Sequence, residues 1–326
     1  MKKVLLGALA FVILFVFGVW LANASWRAAA PTGEPVFVAH RGVHQIFDRD
    51  GIENDTCTAE RIYPPRHALL ENTIPSMQAA FAAGAQIVEL DVHPTTDGQF
   101  AVFHDWTIDC RTAGTGETRS HTMAYLKTLD IGFGYTADGG ETYPLRGTGT
   151  GAMPSLDDVL SAIPDGRFIV NFKSNDATEA DRLASLVAAN PQWRDALWGA
   201  YGGDAPTLRA AALLPGLTVW TRRGLVDCLG SYIGYGWTGI MPEACTNTAI
   251  MVPINIAPFL WGWPNLFIER FTNAGTTIIL TGPFGAGDTG TAGIDDIETL
   301  AQVPAGFPGL IWTNVIEQIG PKARND

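Results

Sequence analysis

Four short stretches of the 326-residue chain set acid–base, cationic or metal-binding side chains at the ends of apolar runs: Ala39-His40-Arg41-Gly42, Glu89-Leu90-Asp91, His104-Asp105 and Asn171-Phe172-Lys173. In Ile87 to Asp91 the two-residue period of a strand puts Glu89 and Asp91 on one face and Leu90 on the other. Two adjacent carboxylates repel, so keeping both ionised calls for a cation, and oxygen ligands suit magnesium or calcium rather than zinc. The structural alternative is one carboxylate facing water while the other pairs with Arg41. His40 and His104 close two different runs. Cleaving a phosphodiester needs one group to take a proton from the nucleophile and another to give one to the leaving oxygen, and imidazole suits both tasks near neutrality. Arg41 offers a two-pronged fork to a phosphate and Lys173 a point charge. Glu71-Asn72-Thr73-Ile74-Pro75 reads as a helix start with Thr73 as N-cap and Pro75 in the first turn, which leaves Glu71 unexplained.

The elements that must position these residues are short β-rich runs alternating with helical patterns. The runs are Val36 to His40, Gln86 to Val92, Phe100 to His104, Phe168 to Phe172, Leu197 to Tyr201, Leu217 to Thr221, Ala249 to Pro253, Thr276 to Thr281 and Gly309 to Thr313. Most are nearly continuous in apolar residues, as strands buried on both faces are. Helical periodicity separates several of them, at Pro75 to Ala83, Leu156 to Ala162, Ala177 to Ala189, Ala205 to Leu214 and Leu266 to Ala274. Alternation of this kind predicts a parallel sheet. Between Val92 and Phe100 there is no room for a helix, and Asp97-Gly98 marks a tight turn. Nine runs are one too many for an eight-stranded barrel, so one belongs to an accessory hairpin or is not a strand. The stretch Gly282 to Gly290 reads as a Gly/Thr-rich loop.

Met1, Lys2 and Lys3 precede an unbroken apolar run from Val4 to Leu21, followed by Ala22-Asn23-Ala24, an acceptable cleavage site. Residues 1–25 therefore read as an export signal, with an uncleaved membrane anchor through residues 4–21 as the alternative. Residues 26–35 read as a linker and 36–326 as the folded body. Lysines before the run favour the N-terminus inside and the body outside. With 21 Lys plus Arg against 33 Asp plus Glu, the net charge of −12 argues against a nucleic-acid partner. Export makes the four cysteines, Cys57, Cys110, Cys228 and Cys245, an even set in a compartment that permits disulfides. Three connectivities are open.

In order along the chain, HRG at His40, ENT at Glu71, ELDV at Glu89, the Asp97-Gly98 turn and HD at His104 resemble the glycerophosphodiester phosphodiesterase family. The resemblance covers chiefly Val36 to Thr112, with weaker echoes at Phe168 to Lys173 and Ile311 to Asn314. It implies a TIM-type (β/α)8 barrel, here with loop insertions, whose strand ends converge on one mouth. It further implies His40 and His104 as the acid/base pair, Glu89 and Asp91 as ligands of a divalent cation, Mg2+ or Ca2+, and Arg41 as a phosphate contact. Lys173 and Glu71 join Arg41 as substrate-binding candidates.

Two departures from the family pattern stand out. An insertion around Val43 to Leu70 carries Cys57 and is expected to shape the substrate pocket. Where the family's fourth strand ends in E-I-K, this chain has Asn171-Phe172-Lys173, so Asn171 takes the third ligand position with one negative charge fewer. With Cys57 in the insertion and Cys110 just beyond His104-Asp105, both on loops at one mouth, the expected bridges are Cys57 to Cys110 and Cys228 to Cys245. The implied substrate is a small glycerophosphodiester, hydrolysed to an alcohol and glycerol phosphate outside the cytoplasm, periplasmic or extracellular. The rivals are a phospholipase D-like activity on a lysophospholipid or sphingolipid, for which Trp261 and Trp263 are suggestive, and a phosphate or lipid binder with reduced catalysis on the same fold.

Overall fold

The strand-forming residues lie where β-branched and aromatic side chains cluster, and the computed structural model, which describes residues 2–53, 55–285 and 292–323, forms a strand at each of them. They are β1 (Val36–His40), β2 (Ile87–Pro94), β3 (Phe100–Val102), β4 (Phe168–Phe172), β5 (Leu197–Gly202), β6 (Thr218–Val219), β7 (Ala249–Pro253), β8 (Thr277–Thr281) and β9 (Leu310–Thr313). Eight run parallel in the order β6-β5-β4-β2-β1-β9-β8-β7, a nearly closed barrel wrapped by helices. The seam lies between β6 and β7, where Thr248 Oγ1 donates to the Val219 carbonyl at 2.8 Å. The ninth strand is β3, antiparallel to β2 across the Asp97-Gly98 turn, with Gly98 at φ +86°. It is the accessory hairpin and accounts for the surplus run. Most of the Gly282 to Gly290 loop lies outside the described residues.

Two apolar layers hold the barrel. Val38, Ile87, Ile169, Trp220, Ile279 and Trp312 fill its interior. The opposite faces of the strands, through residues such as Val88, Leu90, Val170 and Leu280, pack on the surrounding helices. A third cluster, with Leu70, Phe103, Ile108, Tyr135, Leu145 and Met153, joins the insertion after β1 to the long segment after β3. Cys57 and Cys110 are bonded across it, their Cα atoms 5.6 Å apart. Cys228 and Cys245 form the second bridge, with Cα atoms 4.9 Å apart. The leader is a helix, Lys2–Ala22, long and apolar enough to cross a membrane, and it stands exposed beside the barrel.

Candidate active site

The mouth is assembled by two backbone turns that only unusual conformations allow. Arg41 and Asn72 are non-glycine residues in the left-handed region, at φ +60° and +58°, a costly geometry that persists where surrounding contacts hold it. Asn72 N–H donates to the Arg41 carbonyl at 3.0 Å, and Val43 N–H donates to that of Ser76 at 3.2 Å. Gly42 passes so close to the first turn of helix Ile74–Ala83 that a Cβ would lie 2.2 Å from Ser76 Oγ. Thr73 caps that helix by accepting from Ser76 N–H at 3.4 Å. The HRG and ENT stretches are thus one unit. Asn72 joins it to β2, accepting from Asp91 N–H at 3.1 Å and donating from Nδ2 to Asp91 Oδ2 at 2.9 Å.

Both histidines sit at this mouth with Nδ1 engaged. His40 Nδ1 lies 2.7 Å from Asn314 Oδ1. Asn314 is oriented by Asp295, a pure acceptor, which takes the Nδ2 proton at 2.7 Å and the backbone N–H at 2.7 Å. The amide oxygen therefore faces His40, and His40 must donate from Nδ1, leaving Nε2 unprotonated on the neutral ring. That Nε2 lies 3.8 Å from Glu89 Oε2. His104 Nδ1 donates to Asp105 Oδ1 at 2.7 Å. Burial first, then Arg41, holds His40 well below the usual imidazole range. Burial, Arg41 and Lys173 also lower His104, with Asp91 and the Asp105 hydrogen bond opposing.

The charged residues between them alternate in sign. Asp105 accepts from Arg111 Nε at 2.8 Å; Arg111 NH1 lies 3.3 Å from Glu71 Oε2; Arg41 NH1 donates to Glu71 Oε1 at 3.2 Å; Arg41 Nε stands 3.2 Å from Asp91 Oδ2. Arg111 is completed by Tyr135 and, at 2.8 Å, by Thr58 of the insertion. Burial works against ionising Glu71 and Asp91. The charges of Arg111 and Arg41 outweigh it at Glu71, and those of Lys173 and Arg41 at Asp91, so both stay below the usual carboxylate range. Glu71 therefore braces the two arginines. Lys173, whose side chain is 20% exposed, reaches within 3.5 Å of Asp91 Oδ1 and is the most open cation of the set.

Glu89 behaves differently. Tyr201 donates to its Oε1 at 2.8 Å, while Oε2 is buried and has no hydrogen-bond partner among the described residues. Burial and the neighbouring Asp91 push it up. A cation would relieve both costs, so the two carboxylates fit a divalent ion with Glu89 Oε2 as the ready ligand. Asn171 is oriented otherwise than a third ligand would be. Its Nδ2 donates to Asp91 Oδ1 at 2.9 Å, and its oxygen lies against Gly202, where a Cβ would come within 2.6 Å of it. Among the described residues no group of three or more His, Cys, Asp or Glu side chains is arranged to cage a metal. An ion at Glu89 and Asp91 would complete its shell with water and substrate oxygens.

His40, Arg41, Glu71, Glu89, Asp91, His104, Asn171 and Lys173 meet at this mouth, with the Cys57–Cys110 bridge beside it, whereas Cys228 and Cys245 are bonded ahead of β7 and Trp261 lies against Ile233, away from it. The supports of the site residues were given no role: Asn72 and Asp105, read only as members of the ENT and HD motifs, Arg111, and the distant Tyr201, Asp295 and Asn314. Tyr201 and Asn314 stand at the ends of β5 and β9, so the rule that found Lys173, polar residues where apolar strands end, could have found them too.

Comparison with known proteins agrees with the motif resemblance. Residues 58–198 match the model of the Glycerophosphoryl diester phosphodiesterase family. That match begins inside the insertion and leaves His40 to Gly42 outside it. A glycerophosphodiester phosphodiesterase of Caldanaerobacter subterraneus subsp. tengcongensis is 36% identical over 103 residues, 32% of this chain and 39% of the relative. A lysophospholipase D of Rattus norvegicus is 29% identical over 135 residues, 40% of each chain. The chain thus spans well under half the length of these two relatives. The crystal structure of glycerophosphodiester phosphodiesterase from Agrobacterium tumefaciens aligns with a TM-score of 0.57 at 21% identity, over 88% of this chain and all of that one, which shows a shared fold.

Proposed function

We propose, from the resemblance to the glycerophosphodiester phosphodiesterase family, that this chain is a phosphoric diester hydrolase that cleaves small glycerophosphodiesters to an alcohol and glycerol phosphate, outside the cytoplasm. The observation that carries the reading is the pair of imidazoles at one mouth, each with Nδ1 anchored, flanking Arg41, Lys173 and two adjacent carboxylates.

Their anchors divide the labour. His40 leans on a neutral amide and is held unprotonated, so its Nε2 takes the proton of the attacking oxygen. His104 leans on a carboxylate, which opposes the burial, Arg41 and Lys173 that lower it in the free protein; with the anionic phosphodiester bound beside it, it carries the proton that it gives to the departing alcohol oxygen. As the new P–O bond forms and the old one breaks, charge on the non-bridging oxygens is met by Lys173 and Arg41. A divalent cation held by Glu89 and Asp91 would add Lewis-acid neutralisation of the same oxygens. Two disulfides and the apolar leader support an oxidising compartment beyond the membrane.

The division of roles is tested by the leaving group. With an alkyl diester such as glycerophosphocholine, His104→Ala should lose roughly a hundredfold or more in kcat. With a p-nitrophenyl diester, whose leaving group needs no proton, the loss should shrink to a few-fold while His40→Ala stays severely impaired. Equal losses of His104→Ala on both substrates would refute the assignment. The similarity to a lysophospholipase D favours one second reading, turnover of lysophosphatidylcholine, and comparing kcat/KM for that lipid and for glycerophosphocholine decides between them.

A further inference from the structure

The junction between leader and barrel is built, not loose. Asn23 and Ala24, inside the sequence that would be cut if the leader were an export signal, are 7% and 5% exposed. Asn23 Nδ2 donates to the Trp237 carbonyl at 2.8 Å, and its Oδ1 accepts from Arg270 NH1 at 2.9 Å. The same Arg270 nitrogen lies 3.2 Å from the Gly236 carbonyl and 3.2 Å from Tyr232 Oη. Ser25 Oγ accepts from Asn265 N–H at 3.0 Å, at the start of helix Asn265–Asn273. One arginine thus ties the end of the leader to the loop around Trp237. Cleavage after Ala24 would remove Asn23, and with it the donor to the half-buried Trp237 carbonyl and one of three acceptors of Arg270 NH1.

That segment, the end of helix Arg222–Tyr235 and the loop that follows it, has the character of a lipid-facing surface. Its sequence, Ile233-Gly-Tyr-Gly-Trp-Thr-Gly-Ile240, carries no charge. Ile233, Tyr235 and Ile240 are 54%, 40% and 64% exposed. Several polar groups are satisfied internally, as contact with lipid demands: Trp237 Nε1 donates to the Gly234 carbonyl, Thr238 Oγ1 to that of Tyr235, and Ile240 N–H to Thr238 Oγ1. Trp and Tyr are the side chains favoured at the boundary of a bilayer. Depth follows from the leader. Phe15 packs edge-on against Trp237, ring centres 5.9 Å apart, and Phe15 lies about 10 Å along the helix from Ala22 at ~1.5 Å per residue. If the leader spans the bilayer, Trp237 lies level with a residue well inside it.

We propose that the leader is retained as a transmembrane anchor and that the segment Ile233–Ile240 is seated with it in the outer leaflet of the phospholipid bilayer, the two locked together by Asn23 and Arg270. The barrel is then held in a fixed pose on the membrane rather than tethered at a distance.

The test uses the full chain reconstituted in vesicles of phosphatidylcholine and phosphatidylglycerol. All four native cysteines are bonded, so Ile240→Cys, at an exposed position, can be labelled selectively with a nitroxide. The expected result is collision with oxygen exceeding collision with a water-soluble nickel chelate, as for a label at Phe17→Cys. A water-like profile at position 240 would overturn the seating of the loop. Adding Asn23→Ala should shift the 240 profile at least two-fold toward water while the Phe17 label stays in lipid, and an unchanged profile would overturn the lock. Intact mass of the cellular protein should include the leader. A mass beginning at Ser25 would overturn retention.

Discussion

His40 and His104 are distinguished by what holds their Nδ1 protons, and replacing either with alanine should lower turnover of an alkyl diester by roughly a hundredfold or more. Both lie at the mouth rather than in the apolar layers, so thermal unfolding should change little; near-normal activity in either variant would remove that histidine from the chemistry. Arg111 is a different case. It is buried between Asp105 and Glu71, and Arg111→Ala strands two carboxylates, with an expected cost of about 3–5 kcal/mol. Urea unfolding reads that cost, and a loss under ~1 kcal/mol would mean the ion pairs are not held in solution. His93 contributes to the pH dependence beside His40, His44 and His104, which burial also lowers. Its Nε2 faces the His104 carbonyl at 3.4 Å, and burial, then Lys173, push it down to about 4. Between about 6.5 and about 4 the unfolded chain binds more protons at this residue than the folded one. Stability is therefore lost as pH falls through that window, by up to roughly 3 kcal/mol. His93→Gln should make the curve less steep there, and an unchanged slope would assign it to the other buried histidines. The HRG, ENT, ELDV and HD residues were legible because each motif is contiguous. Asn314, 274 residues from the histidine it orients, and Tyr201, 112 residues from Glu89, stand at readable strand ends, but their partners were not legible, because those pairings arise only when the barrel closes.

At the level of elements, strand positions were readable because buried parallel strands are almost uniformly apolar and their neighbours are not. The short turn at Asp97-Gly98 predicted that β2 and β3 are joined without a helix, yet which of the nine runs stood outside the barrel depended on pairing, a tertiary property. The insertion after β1 was legible as extra chain, and its purpose is visible only in the structure. Thr58 reaches Arg111, and Cys57 is bonded to Cys110, the residue before it. The bridge closes a sequence separation of 53 residues, for which loop-closure entropy gives about 4 kcal/mol. Cys57→Ser with Cys110→Ser should lower the stability of the mouth by that order and lower kcat through the loosened Arg111 and Asp105, while Cys228→Ser with Cys245→Ser should spare kcat in protein that folds. Equal kcat effects from the two pairs would contradict a link from the insertion to His104.

The whole molecule combines an acidic body with a mouth whose arginines and lysine are matched by carboxylates, so a phosphodiester must be gripped by Arg41, Lys173 and whatever cation the carboxylates hold. Asn171 makes that cation the point where this chain departs most from the family it resembles. With two carboxylates and an amide whose nitrogen faces Asp91, an ion should bind weakly. Asn171→Glu, which replaces a donor with a third carboxylate, should raise magnesium or calcium affinity roughly tenfold or more without a matching gain in kcat. Indistinguishable affinities by calorimetry would place position 171 outside the ion's reach. The most direct test of the account is choline release from glycerophosphocholine by the purified full chain, stripped with chelator and then supplied with magnesium or calcium, beside His40→Ala. The account predicts turnover that falls on chelation, returns with the added ion and is nearly absent in His40→Ala. No turnover in the ion-supplied protein, or equal turnover in His40→Ala, would contradict it.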